Sequence, residues 1–344
     1  MPRVGDNNVI VGRGVGRNGV LAACFAVLFL ALGWSAYWYI AQRMAMREFH
    51  AQLEREAQFG RVWSCESLTS GGFPLAVMLD CLEPKLRVEE GLETHTLSAR
   101  RAVIQAQLYT PKLVEISLST PASVETTGVK TSIDWSSLQI SARGLPDRLD
   151  RLSIVGRDLT VSSRDLPTTT AETLHFHLKR TGAASMSPYS LTAGLAGLNS
   201  PAFARYIGPG GRGLFTILGA VTQLDAASAG HWVDRLESWR AAGGRLSIAA
   251  LSLSRDDFAL QAEGALGLDL LHRPDGRLAV NLRNAGPTLL AILESAGKLQ
   301  RNTISGQIAA AVLSKGDLKL DMSADNGALS IGPLRRAFAL PPLY

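Results

Sequence analysis

The sequence predicts a mainly β protein behind one N-terminal transmembrane helix: a large antiparallel sheet, curled or divided into two β-halves, with covering helices. Three observations carry this reading. Residues 20–41 form a run of 22 residues without a charge. Beyond about residue 82 the chain alternates apolar and polar residues with period two, the signature of half-buried strands. Clusters of Gly, Pro and Asp interrupt that alternation where turns belong.

From the N-terminus, residues 1–19 read as a basic cytoplasmic arm in which Arg3, Arg13 and Arg17 outnumber Asp6. The arm contains a literal G-x-G-x-x-G ending at Gly19, but a dinucleotide fingerprint needs an acidic residue about 20 positions on. After Asp6 the first carboxylate is Glu48, so the glycines read as part of the arm. Val20 to Ala41 would form a helix of roughly 33 Å, enough to cross a bilayer. Trp34, Tyr37, Trp38 and Tyr39 crowd its far end, where amphipathic rings suit the membrane interface. Arg43 and Arg47 lie beyond, so the charge count is not one-sided. The short arm and the large following domain still favour a cytoplasmic N-terminus and a periplasmic bulk, single-pass in a bacterial inner membrane. A cleaved signal peptide fits less well. Its apolar region runs to about 7–15 residues, and Ala41-Gln42-Arg43 is a poor cleavage site.

Residues 42–62 read as a stalk helix continuing the span. Met46, Phe49, Leu53 and Ala57 recur at helical spacing while Arg47, Glu54, Arg55 and Glu56 face elsewhere. Fewer than about three heptads argues for packing against the β-domain over a coiled coil.

A first β-rich half covers 63–193. Cys65 and Cys81 flank a dense turn signal that includes Gly71, Gly72, Phe73 and Pro74, so a hairpin there brings the cysteines together. In an oxidising compartment they would form a disulfide closing a loop worth on the order of 3 kcal/mol. Unpaired thiols and a redox pair are the alternatives, the latter without a C-x-x-C. Cys24 lies inside the span. Alternating runs follow at 102–108, 114–118, 138–142 and 174–178, then at 266–270, 278–282 and 318–322. The turns between them are expected at Gly144 to Asp147, Arg164 to Pro167, Asp256-Asp257, Pro274 to Gly276 and Lys315 to Asp317. His231 to Ala242 and Pro287 to Leu299 break the rule with helical spacing and are the expected covers. Gly194 to Gly213 reads as a Gly/Pro-rich loop or linker, ahead of a second half at 214–344.

The formal charge is +5, of which the arm supplies +2 and the rest of the chain +3. That near balance, without a long basic run, gives no warrant for nucleic-acid binding. His175 and His177 share one strand face, with Glu172 three residues away, and are weak metal candidates amounting to half a site. His50, His95, His231 and His272 are scattered. The chain lacks a G-x-S-x-G elbow, H-E-x-x-H and a P-loop, so a non-enzymatic protein without a cofactor is expected.

Cys65 with Gly72-Phe73-Pro74 and Cys81, and the run from Gly264-Ala265-Leu266 through Leu268-Asp269 to Gly276-Arg277-Leu278, carry a resemblance. With the single span, they make the chain resemble a domain-of-unknown-function family (number 2125) of Gram-negative envelope proteins, over most of the chain after the anchor. That family's motifs are turns, strands and a cysteine pair, and the resemblance implies no catalytic residues. More distantly, an anchor followed by amphipathic β-repeats is similar to AsmA-like envelope proteins. This likeness implies a curled sheet presenting an apolar groove to lipid; the chain is too short for a long bridge, which keeps any such role local.

Two readings follow. In the first, an apolar concavity binds a lipid or another acyl-bearing envelope component; in the second, the sheet is a scaffold whose partners are other envelope proteins. Apolar strand faces outnumber what two short helices can cover, which favours the first.

Overall fold

The computed structural model describes the chain apart from residues 1–16, 91–92, 146–147, 165–166, 185, 202–210, 228–230, 287–316 and 333. It opens with one continuous helix, α1 (Arg17–Ala57), which runs through the apolar stretch and the stalk without a break. Three residues separate the helix from β1, so Arg61 and Val62 belong to a strand and the expected stalk is shorter. Met46, Phe49 and Leu53 are half-buried, in keeping with a face turned toward the sheet. Glu56, expected to face elsewhere, turns inward instead, where it forms an ion pair with Arg61.

The remaining elements make one antiparallel sheet of 18 strands. The first nine are β1 (Arg61–Ser64), β2 (Ser67–Gly71), β3 (Ala76–Leu82), β4 (Lys85–Glu90), β5 (Glu93–Gln107), β6 (Thr110–Thr126), β7 (Val129–Asp134), β8 (Ser137–Arg143) and β9 (Arg151–Ser163). Then come β10 (Thr169–Arg180), β11 (Tyr189–Leu198), β12 (Gly213–Val221), a 3-10 turn at Leu224–Ala227 and α2 (Trp232–Ala241). The last six are β13 (Leu246–Arg255), β14 (Phe258–Leu268), β15 (Pro274–Arg283), β16 (Leu318–Asp325), β17 (Ala328–Ile331) and β18 (Leu334–Ala339). Strands β5 and β6 pair with each other and are long enough to serve two further partners each along the other edge. β5 pairs with β4 along its first part and β3 along its second, and β6 pairs with β8 and then β7. Pro121 sits where β6 changes partner, a position that asks for no ladder N–H.

Three expectations are corrected. Gly194 to Leu198 are the second half of β11, which pairs with β12 with one register shift between Ala196 and Leu198, so the two expected halves share one sheet; residues 202–210 of the expected linker lie outside the described residues. Pro274 to Gly276 already belong to β15; the turn lies just before them, where the Asp269 carboxylate accepts hydrogen bonds from the N–H groups of Leu271 (2.8 Å) and Arg273 (2.9 Å). Leu270 therefore leaves the strand and is 82% exposed. The helix expected from Pro287 to Leu299, the turn residues Lys315 and Gly316, and the arm with Gly14 and Gly16 lie outside the described residues.

Register makes the sheet amphipathic. Leu79, Ile104, Ile116, Ile140, Ile154 and Phe176 are successive cross-strand partners from β3 to β10. The same row continues through Ala193, Ile217, Leu251, Ala262 and Val280 to Leu320 in β16. The opposite face carries Glu115, Gln139, His175, Thr216, Ser252, Gln261 and Asn281. Where β14 crosses β15, Gly264 and Gly276 both have positive φ, and a Cβ on either would collide with a carbonyl oxygen of the facing strand. Only glycine permits that approach.

The sheet curls. Eight ladder steps lead from β1 through β4, β5, β6, β8, β9, β10 and β11 to β12. Flat, they would hold the two strands roughly 38 Å apart at about 4.8 Å per step. α2 is tied to the end of β12 by the Trp239 indole, which donates to the Thr222 carbonyl at 2.8 Å. Yet His231, at the start of α2, stacks edge-on against Phe59 just ahead of β1, with ring centroids 5.8 Å apart. Arg235 reaches Glu56 at 3.9 Å.

A second lock joins β10, β11 and the turn after β12. Tyr189 is 1% exposed, and its hydroxyl lies 2.7 Å from the Leu149 carbonyl oxygen and 2.8 Å from Asp225 Oδ1. The Arg180 guanidinium donates to both Tyr189 and Asp225. Burial, with the neighbouring Asp225 carboxylate, pushes the Tyr189 phenol up to about 12. Burial also opposes ionisation of Asp225, but the hydrogen bonds from Arg180 and Tyr189 outweigh it and hold its pKa below the usual value.

Two outcomes follow. Leu282→Ala, at a site 6% exposed in the best-packed part of the sheet, lowers stability by about 2–5 kcal/mol. His177→Ala on the polar face changes it by less than about 0.5 kcal/mol; denaturant titration of the detergent-solubilised chain measures both. The Tyr189 phenol is neutral when folded at pH values where it ionises once unfolded. Its contribution is complete below about pH 10, and is lost as pH rises through about 12. Alkaline unfolding followed by circular dichroism is therefore steeper across that window in the parent than in Tyr189→Phe.

Candidate functional site

The period-two alternation produces a site built from a sheet face instead of a cluster of reactive groups. Beside the central row runs a second, from Val77 through Ala106, Val114, Ala142, Leu152 and Leu178 to Leu191 in β11. A third runs from Leu174 through Leu195, Phe215, Leu253, Leu260 and Leu282 to Leu318. Rows two residues apart along each strand make a band about 7 Å across where two run together and about 13 Å across at β10 and β11, where all three meet. Ile104, Ile116, Ile140, Ile154, Phe176 and Ile217 are only half-buried, whereas Val280 and Leu282 near the far edge are buried. α2 does not provide the expected cover, since none of its residues is buried.

The aromatic residues and the hairpin turn come together. β2, the turn and β3 form a hairpin in which Gly72 has φ +97° and accepts a hydrogen bond from the Ala76 N–H at 2.9 Å. The Trp34 indole donates to the Pro74 carbonyl at 2.8 Å, and the Trp38 indole donates to the Ala76 carbonyl at 2.7 Å. Phe73 stacks edge-on against Trp38 at 5.4 Å. Tyr37 and Tyr39 stay exposed, the latter accepting from Arg43. Aromatic position alone suggests an interface belt; that two of these rings hold the turn is visible only in three dimensions.

Cys65 and Cys81 are joined by a disulfide with Cα atoms 5.5 Å apart, stapling the corner between β1 and β2 to β3. Cys24 is free and exposed. His175 and His177 stack at 6.1 Å, and His177 Nδ1 lies 2.9 Å from Ser153 Oγ. Glu172 is drawn away into an ion pair with Arg212. Among the described residues no group of three His, Cys, Asp or Glu side chains could hold a metal ion.

A polar cluster missed in the sequence lies beside α2. Glu237 accepts from Arg240, from the Tyr344 hydroxyl at 3.2 Å and faces His272 Nε2 at 3.2 Å. The Arg240 hydrogen bond holds the Glu237 carboxyl at about 2. Tyr344 stacks on His272 at 4.4 Å, and the Leu343 N–H donates to the His272 carbonyl at 3.0 Å. The arrangement latches residues 343–344 onto α2 and the β14–β15 turn, and these partners are too far apart in sequence for spacing to show them.

Intact mass under non-reducing conditions should fall two hydrogens short of the reduced chain. Cys81→Ser, read by denaturant titration, should lower stability by on the order of 3 kcal/mol.

No curated protein and no solved structure matches the chain. A family model does, over residues 38–337, from the aromatic end of the apolar helix to β18. The chain therefore belongs to DUF2125, a family described as an uncharacterized protein conserved in bacteria.

Proposed function

We propose that the protein is a single-pass protein of the bacterial inner membrane, with its N-terminus cytoplasmic and its sheet in the periplasm. The reading gives it a binding role without catalysis: the apolar band holds the acyl part of a lipid or of another envelope component. α1 supports the anchor, being long and apolar enough to cross a membrane with no residue of its apolar window buried. The single observation that carries the ligand is the central row of twelve partnered positions from Leu79 to Leu320, most of them half-buried. A sheet with one apolar face has to cover it or use it. The two open depressions over β13 to β16, lined by Arg245, Glu263, Asp275, Arg277 and Asp321 among others, mix opposed charges and suit a small apolar ligand less well.

Purification of the full chain in mild detergent, followed by mass spectrometry of its organic extract, should yield a bound lipid. That lipid should displace an environment-sensitive apolar probe. Phe176→Arg, which places a charge mid-row, should weaken probe binding by about tenfold or more. If neither lipid nor probe binds, the sheet is a scaffold for other envelope proteins.

A further inference from the structure

Phe73 and Leu75 on the β2–β3 turn and Tyr109 on the β5–β6 turn are 57%, 60% and 68% exposed. The two turns are adjacent, because Ala76 pairs with Gln107 and the Leu108 N–H donates to the Leu75 carbonyl at 3.0 Å. They form a single apolar tip. The tip is bound to α1 at a defined height, Pro74 at Trp34 and Ala76 at Trp38. Four helical residues rise about 6 Å and two strand residues about 6.6 Å, so hairpin and helix run side by side in matched steps. Moving from Trp38 to Trp34 moves one turn deeper into the apolar stretch of α1, and the hairpin follows with Leu75, Pro74 and Phe73.

We propose that this tip is a membrane-docking element, inserted at the headgroup–acyl boundary of the leaflet where α1 leaves the bilayer, its partner being the lipid surface itself. The proposal rests on the anchored reading above, and not on lipid occupancy of the sheet. Backbone chemistry supports it. A turn placed where water is scarce must find protein donors for its carbonyls, and those of Gly72, Pro74, Leu75 and Ala76 are all bonded, two of them by indoles from α1. Arg43, just over one helical turn beyond Trp38 and bonded to the Tyr39 hydroxyl, falls at the height of phosphate groups. Val77 and Ala106, which begin one apolar row, directly adjoin the tip. Insertion would thus bring that end of the band to the acyl chains.

Depth-dependent quenching of the full chain in liposomes tests the proposal. In a Cys24→Ala background, single cysteines replace Tyr109, Val129 at the start of β7 just past the opposite end of β6, or Leu28 in mid-helix, and each carries an environment-sensitive fluorophore. Phosphatidylcholine with a nitroxide near the headgroup or deep in the acyl chain serves as quencher. The expected result is strong shallow quenching at 109, deep quenching at 28 and several-fold weaker quenching at 129. Quenching at 28 with 109 as dark to the nitroxide as 129 overturns the docking tip and leaves the anchor standing. Equal quenching at 109 and 129 also overturns it, because the sheet then lies along the surface. Absence of quenching at 28 removes the anchor, and the tip with it.

Discussion

A sheet whose every strand is apolar on one side and polar on the other cannot stay flat in water, and that constraint shapes the molecule from β3 to β16. Each antiparallel step along the row adds one partnered apolar position, so Leu79 in β3 ends up in one row with Leu320 in β16. A slip of one residue anywhere along the row would turn the rest of it toward solvent. Curling satisfies the constraint without a second layer. It brings the turn before β1 against α2, where Phe59 meets His231 and Glu56 meets Arg235.

Curling has to be built into the backbone, and the irregular positions are where that happens. Gly264 and Gly276 allow β14 and β15 to approach more closely than any side chain would permit. Register shifts between Ala99 and Arg101, between Leu218 and Gly219, and between Ile248 and Leu251 raise the local twist. Pro121 lets one long strand change partner. Disulfide, Tyr189 lock and the Glu237 latch then fasten the elements beside the strand ends, where pairing alone leaves the chain loosest.

How much of this was legible follows from the range of each interaction. Period-two patterning is local, so the strands and their faces could be read directly; so could α1 and the hairpin between Cys65 and Cys81. The expected loop or linker at Gly194 begins too early because Gly194 lies over the His175 ring, where a Cβ would clash; glycine there marks close packing within β11, and the connection to β12 starts only after Leu198. The turn before β15 was misplaced by reading Pro274 and Gly276 as punctuation, when the Asp269 side chain does the turning. Arg180 and Asp225 are 45 residues apart, and Glu237 and Tyr344 are 107 apart. No spacing rule reaches that far.

The joint between α1 and the hairpin ties the two regimes together. A turn in water satisfies its carbonyls with solvent and has little need of an indole donor. Trp34 and Trp38 offer such donors from the apolar stretch of α1 to a turn whose own side chains Phe73 and Leu75 are exposed and apolar. Each feature alone would be unremarkable on a protein surface. Their coincidence on one face of one helix suits surroundings in which water is scarce and apolar surface carries little penalty, as at the acyl side of the boundary where the tip is proposed to dock. The same joint fixes the orientation of the sheet relative to α1, because two hydrogen bonds one helical turn apart prevent the hairpin from sliding or pivoting. The apolar band is therefore held at a set height along the apolar stretch of α1.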